Sequence, residues 1–219
     1  MMMMTEMHRL LILRLELTDN MSQIRTTLDA MSINLAIRNR RSVFTSQFYN
    51  GRRIPDEVIT EILHNANAAP SHKLTEPWRF TVFTGEGLSR LGRLQSEIYK
   101  ANAGERFKEN KYDNLLNGPR MCSHIIAIGC KRSVGIVPEL EEVAAVSCAI
   151  QNIYLSLDAY GIGGYWSTGG ITFMEDAKRL VGLEPHDVFM GFFYLGYVQI
   201  PSVHRTPSPL EPKVTWVTK

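Results

Sequence analysis

The chain has 219 residues, 44% hydrophobic and 21% charged, which is enough to bury one full core. Its 24 basic and 22 acidic residues leave a net charge of +2, too even for a nucleic-acid binder, and no long basic run appears. Cys122, Cys130 and Cys148 form neither a CxxC pair nor a disulfide framework, and the histidines fall into no metal-ligand spacing, which excludes the common zinc and redox motifs.

No apolar run reaches the roughly 18 residues of a membrane span, and the cysteine usage suits a reducing cytoplasm. Residues 1–31 are expected to be an extension without assigned function. Its apolar run at Leu10–Leu13 is interrupted by Arg14 and Glu16, a poor signal-peptide core, and its acids argue against a transit peptide. Residues 32–219 are expected to form one domain.

In chain order, "SINLAIRNR" predicts a short helix capped by Ser32, with Ile33, Ala36 and Ile37 on one face. A second helix is expected from Pro55, whose acidic followers Asp56 and Glu57 suit a helix start. Val58, Ile59, Ile62, Leu63 and Ala66 recur at helical spacing behind them. "NAAPSHKLTEPWRF", residues 67–80, is a polar elbow between Pro70 and Pro77 that opens into the alternating strand "WRFTVFT". Leu88, Leu91, Leu94 and Ile98 mark another helix. Residues 101–120, polar and broken by Gly and Pro, are expected to be a mobile excursion lying over the site as a lid.

"HIIAIGC", residues 124–130, predicts a strand covered on both faces. A long helix follows Pro138 and stops at Gly161. Its Val143, Val146, Ile150 and Ile153 make it the expected centre of a subunit interface. Thr172 and Glu175 stand at capping-box spacing before a helix that Gly182 ends, and "DVFMGFFYLGYV" is a last strand. The irregular alternation of helices and strands predicts an α+β fold, a small sheet packed with helices.

Three constellations carry possible chemistry. Arg40, Arg41 and Ser42 suit a bound phosphate through bidentate, charge-assisted bonds, although basic residues at a helix end also serve simply to complement its dipole. The elbow's His72 and Lys73 are donors on a loop braced by prolines, or a plain solvated loop. "GIGGYWSTGG", Gly161–Gly170, has glycines that let backbone N–H groups approach a ligand. It matches neither GxGxxG nor a P-loop, and a helix stop with a short strand and hairpin accounts for it equally.

In this order, Arg40-Arg41-Ser42, "AAPSHKLTEPWRF", "GGYWSTGG" and "GFFYLGY" resemble the flavin-dependent nitroreductase family, most of all its small single-domain bacterial NAD(P)H branch, over about residues 32–200. The resemblance implies an α+β sandwich with a small mixed sheet, an intertwined homodimer, and FMN sites in the subunit interface. Arg40 and Ser42, with Arg41 beside them, would take the FMN phosphate and ribityl chain. Pro70, Ser71 and His72 would reach the flavin of the partner subunit. Trp166, Ser167, Thr168 and Gly169 would close over it, and Arg205 would add a second basic residue at the phosphate. Two positions depart from the family pattern: Phe44 stands where many relatives have a basic residue, and Glu76 where Gln or Asn is common.

The implied activity is hydride transfer from NADH or NADPH, by way of the flavin, to an electron-poor acceptor such as a nitroaromatic or quinone. No protein nucleophile is required, and Lys73 is the candidate for positive charge near the ring. A flavin-binding or sensing protein with little turnover, or a same-fold flavin reductase or dehalogenase, are the alternatives.

Overall fold

The computed structural model describes residues 29–203 and 206–219, in two units that divide between Arg38 and Asn39. The first contributes most of α1 (Ala30–Asn39), a ten-residue helix with no buried residue. It begins two residues before Ser32, which therefore lies inside it rather than capping it.

The second unit is built on a four-stranded sheet. Its strands are β1 (Trp78–Thr84), β2 (His124–Cys130), β3 (Ile162–Ser167) and β4 (Val188–Tyr197), in the order β1-β2-β4-β3. All three pairings are antiparallel, so among the described residues the sheet is not the mixed one expected. The α+β class stands.

Helices cover both faces. On one side lie α2 (Asp56–Asn67) and α5 (Glu139–Leu157); on the other lie α3 (Glu86–Ala103) and α6 (Glu175–Leu180). Both α2 and α5 follow a proline that fixes φ ahead of the helix, and both place acidic residues in their first turn. At its other end α5 runs through a short 3₁₀ turn into Gly161, whose φ of 64° breaks the helix in the left-handed region. Strand β2 is buried from end to end. Ile126, Ile128 and Cys130 pack with α2 and α5, while Ile125 and Ala127 pack with α3 and α6.

Strand β4 does not alternate so simply. Opposite β2 its register slips between Ile128 and Gly129, and Met190 is left as the extra residue, next to Gly191 at φ 95°. The bulge swaps faces. Phe189 and Phe192 therefore both point to the α3 side, and Met190 and Phe193 both point to the α5 side. A side chain on Gly191 would strike the Ser167 carbonyl at 2.3 Å, so only glycine admits the end of β3 there.

Two local expectations change. Residues 101–120 are not an open excursion: α3 runs to Ala103 and α4 (Glu109–Asn117) returns along it, with Leu116 backbone so close to Gly92 that a Cβ there would sit 2.2 Å from its carbonyl. Phe107, Tyr112 and Leu115 pack against the α3-side core, and this apolar contact holds the hairpin down. The capping box of Thr172 and Glu175 does not form either. Helix α6 starts after Met174, and buried Thr172 turns its hydroxyl to the Gly169 carbonyl at 2.8 Å.

Candidate functional site

Tyr154, near the end of α5, is the junction of the basic cluster and the glycine-rich strand. Its hydroxyl accepts the Trp166 backbone N–H at 2.8 Å and lies 3.4 Å from Ser42 Oγ. Its ring meets Phe193 edge-on at 4.7 Å, which fixes it to the core, and the Arg40 guanidinium sits 4.8 Å from the ring centroid. One tyrosine thus gathers Arg40, Ser42 and Trp166, three of the residues the sequence singles out.

The backbone explains why they meet. The segment through Val43 crosses β3, where Val43 N–H donates to the Gly164 carbonyl at 3.0 Å. A Cβ on Gly163 would lie 2.7 Å from Val43, and one on Gly164 2.6 Å from the Tyr194 carbonyl. These two glycines therefore serve chain crossing, and Gly161 serves the helix stop. Of the five glycines, Gly169 and Gly170 remain exposed and available to a ligand.

Trp166 itself cannot donate to a ligand, because its backbone N–H goes to Tyr154 and its indole N–H to the Met190 carbonyl at 2.6 Å. That carbonyl belongs to the bulged residue of β4. Ser167 Oγ accepts the Gly169 N–H at 3.3 Å, and Thr168 and Gly169 are exposed just beyond the strand. Arg41 returns to the Arg40 carbonyl at 2.8 Å. Ser202 donates to the Ser42 carbonyl at 2.8 Å and so laces the chain after β4 onto the cluster. Arg205 lies outside the described residues.

Around Tyr154, a groove of about 200 Å³ is lined by residues that include Arg40, Arg41, Asp158 and Ser202. Small-molecule sites commonly enclose roughly 300–1,000 Å³. The groove is smaller than that range.

The elbow lies elsewhere. His72 Nδ1 pairs with Glu141 in the first turn of α5, and Lys73 Nζ donates to the Ile136 carbonyl at 3.1 Å. Ser71 Oγ accepts the Glu76 N–H at 3.2 Å, and Pro70 is exposed. Lys73, Leu74 and Glu76 have φ of 52°, 54° and 43°, left-handed conformations that cost non-glycine residues energy and concentrate where structure serves function. At about 1.5 Å per residue, Glu141 and Tyr154 stand roughly 20 Å apart along α5. Within one chain Arg40 and Ser42 meet the Trp166–Gly169 segment, and Pro70, Ser71 and His72 do not.

Two buried polar atoms lack a partner. Among the described residues, the buried side-chain polar atoms without a hydrogen-bond partner are Thr75 Oγ1, in the elbow, and Gln95 Nε2. Gln95, 1% exposed on α3, lies beneath the second half: a Cβ on Gly170 would be 4.0 Å from its Oε1. Orphaned buried groups in a native fold call for a partner, and these fit the polar edges of a flat heterocycle, as Arg40 fits a phosphate. Neither residue carried a sequence signal. Tyr154 carried a faint one, as an aromatic hydroxyl in an otherwise aliphatic stripe. The departures are accommodated: Phe44 packs 5.0 Å from the Tyr165 ring, and Glu76 is exposed without engaging Lys73.

Among the described residues no helix is long and apolar enough to cross a membrane, and no group of three or more His, Cys, Asp or Glu is placed to hold a metal. Burial pushes the Cys122 and Cys130 thiols up to about 12, which makes both poor nucleophiles.

Comparison with known proteins meets this geometry. The chain is 29% identical over 174 residues to "Putative NAD(P)H nitroreductase YfhC" of Bacillus subtilis, covering 78% of this chain and 88% of that one. Its fold is similar to that of a nitroreductase-like family protein from Bacillus cereus, with a TM-score of 0.73 at 22% identity over 84% of this chain and 95% of that one. It is also similar to the FMN-dependent nitroreductase NfnB of Mycobacterium smegmatis, solved in complex with NADPH, with a TM-score of 0.64 at 17% identity over 86% and 99% of the two chains. The family model described as "Nitroreductase family" matches residues 37–197, a stretch that holds both the Tyr154 junction and the elbow, and the chain belongs to that family.

Proposed function

We propose that the protein is an FMN-dependent oxidoreductase that takes hydride from NADH or NADPH and delivers it to an electron-poor acceptor such as a nitroaromatic or quinone. The observation that carries the reading is the Tyr154 junction, which sets Arg40 and Ser42 on the strand leading to Gly169–Gly170 in a chain of the nitroreductase family. FMN supplies the hydride chemistry when bound; the chain supplies binding and electrostatics. Arg40 and Ser42 would hold its phosphate and ribityl chain. The exposed backbone at Thr168–Gly170 and the Gln95 amide would meet polar edges of its ring, and Arg41 would add positive charge.

In this reading the elbow of a second chain completes each site, because its own lies about 20 Å away along α5. The surface for that second chain is on the same helix. Val146, Ile150 and Ile153 are buried in their own core, so they are not the interface residues expected; Leu140, Ala144 and Cys148 form the exposed face. The two chains would form a homodimer with two flavin sites. Residues 32–219 would be the flavin domain, and the protein would act in the cytoplasm.

The test is purification followed by an absorbance spectrum, chromatography of heat-released cofactor, and NADH or NADPH oxidation with and without a nitroaromatic. FMN and acceptor-dependent oxidation are expected. FAD, or no flavin after reconstitution, would end the reading; FMN without turnover would leave a flavin-binding protein.

A further inference from the structure

Three carboxylates open α5, and each has its own partner. Glu139 and Glu142 stand three residues apart on one face, and Arg132 holds both. Its guanidinium pairs with Glu139, and its Nε donates to Glu142 at 2.8 Å. Glu142 is 1% exposed and also accepts the Ser133 N–H at 3.0 Å. The Arg132 N–H goes to Asp187, itself buried, at 2.8 Å. At about 100° per residue, Glu141 falls on a different face of the helix. There it pairs with Nδ1 of His72.

The same stretch braces the elbow at two more points. Lys73 Nζ donates to the Ile136 carbonyl at 3.1 Å, and the Lys131 N–H to the Pro77 carbonyl at 2.8 Å. These contacts answer a need of the elbow itself. Lys73, Leu74 and Glu76 are in the left-handed region without being glycine, and such residues persist only where the surroundings over-determine them. Leu74 is 83% exposed, so its own packing does not hold the turn. The start of α5 does.

The pair with Glu141 also decides what His72 can offer. A carboxylate on Nδ1 requires the hydrogen there. Nε2 is then an acceptor in the neutral ring and a second donor in the charged one. Among the described residues Nε2 has no hydrogen-bond partner, and the side chain is half exposed. In the same elbow Thr75 Oγ1 is buried without a partner. Two polar atoms of one braced loop are thus left to meet a ligand.

We propose that Glu141 is a positioning residue of the flavin site: it fixes the tautomer and orientation of His72, so that Nε2 faces the flavin held by the other chain. The inference rests on the two-chain reading above. Arg132, by clamping Glu139 and Glu142, sets the helix start from which Glu141 reaches the elbow. Glu141 acts through His72, so its loss behaves as the loss of His72 does.

FMN affinity is measured by titrating apo-protein, for single variants and for mixed dimers. Glu141→Ala should weaken FMN binding about tenfold. Its Tm should stay near wild type, because the position is exposed and alanine is the best helix former. Glu141→Gln keeps an acceptor for the Nδ1–H and should recover most of the affinity. Added to His72→Ala, the Glu141→Ala change should weaken binding no further, since a residue acting through the ring has no effect without it. In mixed dimers, Glu141→Ala should regain one tight site with Arg40→Ala and none with His72→Ala. Three results would each overturn the inference: wild-type affinity in Glu141→Ala, a loss additive with that of His72→Ala, or a site regained in the Glu141→Ala/His72→Ala dimer. A Glu141→Ala protein that loses Tm and FMN together, unrescued by Gln, would also overturn it, by making Glu141 structural. If Arg40→Ala and His72→Ala regain no site although His72→Ala still absorbs the Glu141 effect, the two-chain reading fails and the positioning role stands. A wild type that binds no FMN would overturn the oxidoreductase reading, and this inference with it.

Discussion

Glu141 and Tyr154 lie on one helix, one in its first turn and the other near its last, and they hold different parts of the proposed cofactor site. Glu141 pairs with His72 of the elbow; Tyr154 takes the Trp166 N–H and touches Ser42. Roughly 20 Å of α5 separates them. In the proposed reading, that separation gives each chain two half-sites that cannot close on one another.

Arg40→Ala should weaken FMN binding far more than Arg38→Ala. Charge-assisted bonds to a phosphate are worth roughly 1.5–3 kcal/mol each, ten- to more than hundredfold in affinity. Arg40 lies on the groove with its guanidinium over Tyr154. Equilibrium titration of apo-protein with FMN decides it, and equal affinities would mean that Arg40 is not the phosphate ligand.

Tyr154→Phe should keep the ring contact with Phe193 and remove the hydroxyl that satisfies Trp166 N–H. Leaving a half-buried donor unpaired costs about 1–3 kcal/mol. Thermal unfolding should fall accordingly, and FMN affinity should fall with it because Ser42 loses its neighbour. A drop in Tm with unchanged FMN affinity would make Tyr154 a purely structural residue.

Leu74→Gly should leave stability unchanged or raise it by up to about 1 kcal/mol. Leu74 is 83% exposed at φ 54°, so glycine removes strain without removing packing. By contrast, Leu91→Ala in the core should cost about 2–5 kcal/mol. Chemical denaturation of both variants checks the pair.

Stability should decline as pH drops below about 6.5. His124, buried between Ser123 and Asp56, is held neutral: burial pushes its pKa below the ordinary value, against the pull of the Asp56 carboxylate. The unfolded chain therefore binds a proton that the native state resists, and native stability is full above about pH 6.5 and is lost as pH falls toward the folded pKa. Hydrogen bonds from His124 and Arg53 hold Asp56 below its ordinary value, so its contribution fades only below about pH 4. His124→Gln should lower Tm at pH 7.5 and flatten the decline between pH 6.5 and 5. A parallel decline in wild type and variant would remove His124 as its source.

Much of this was legible in the sequence. Strands β1 and β2 have the expected bounds because alternation in one and unbroken apolarity in the other are strong signals. Helix α5 announced itself through Pro138, its acidic start and Gly161. Helix α4 did not, because its polar residues are many and its apolar side chains against the core are few, Tyr112 and Leu115. Spacing alone could not say which apolar face of α5 meets its own sheet, so Val146, Ile150 and Ile153 were expected in an interface they do not form. The face-swapping bulge at Gly191 and the left-handed residues of a glycine-free elbow are set by tertiary packing, which no local pattern reports.

Subunit mixing decides whether two chains complete each flavin site. Arg40→Ala and His72→Ala proteins should each bind FMN poorly. When exchanged into mixed dimers they should regain one tight FMN per dimer, since one site then carries both native residues and the other neither. Mixed dimers that form but recover no FMN, or a monomer that binds FMN stoichiometrically, would contradict the shared site.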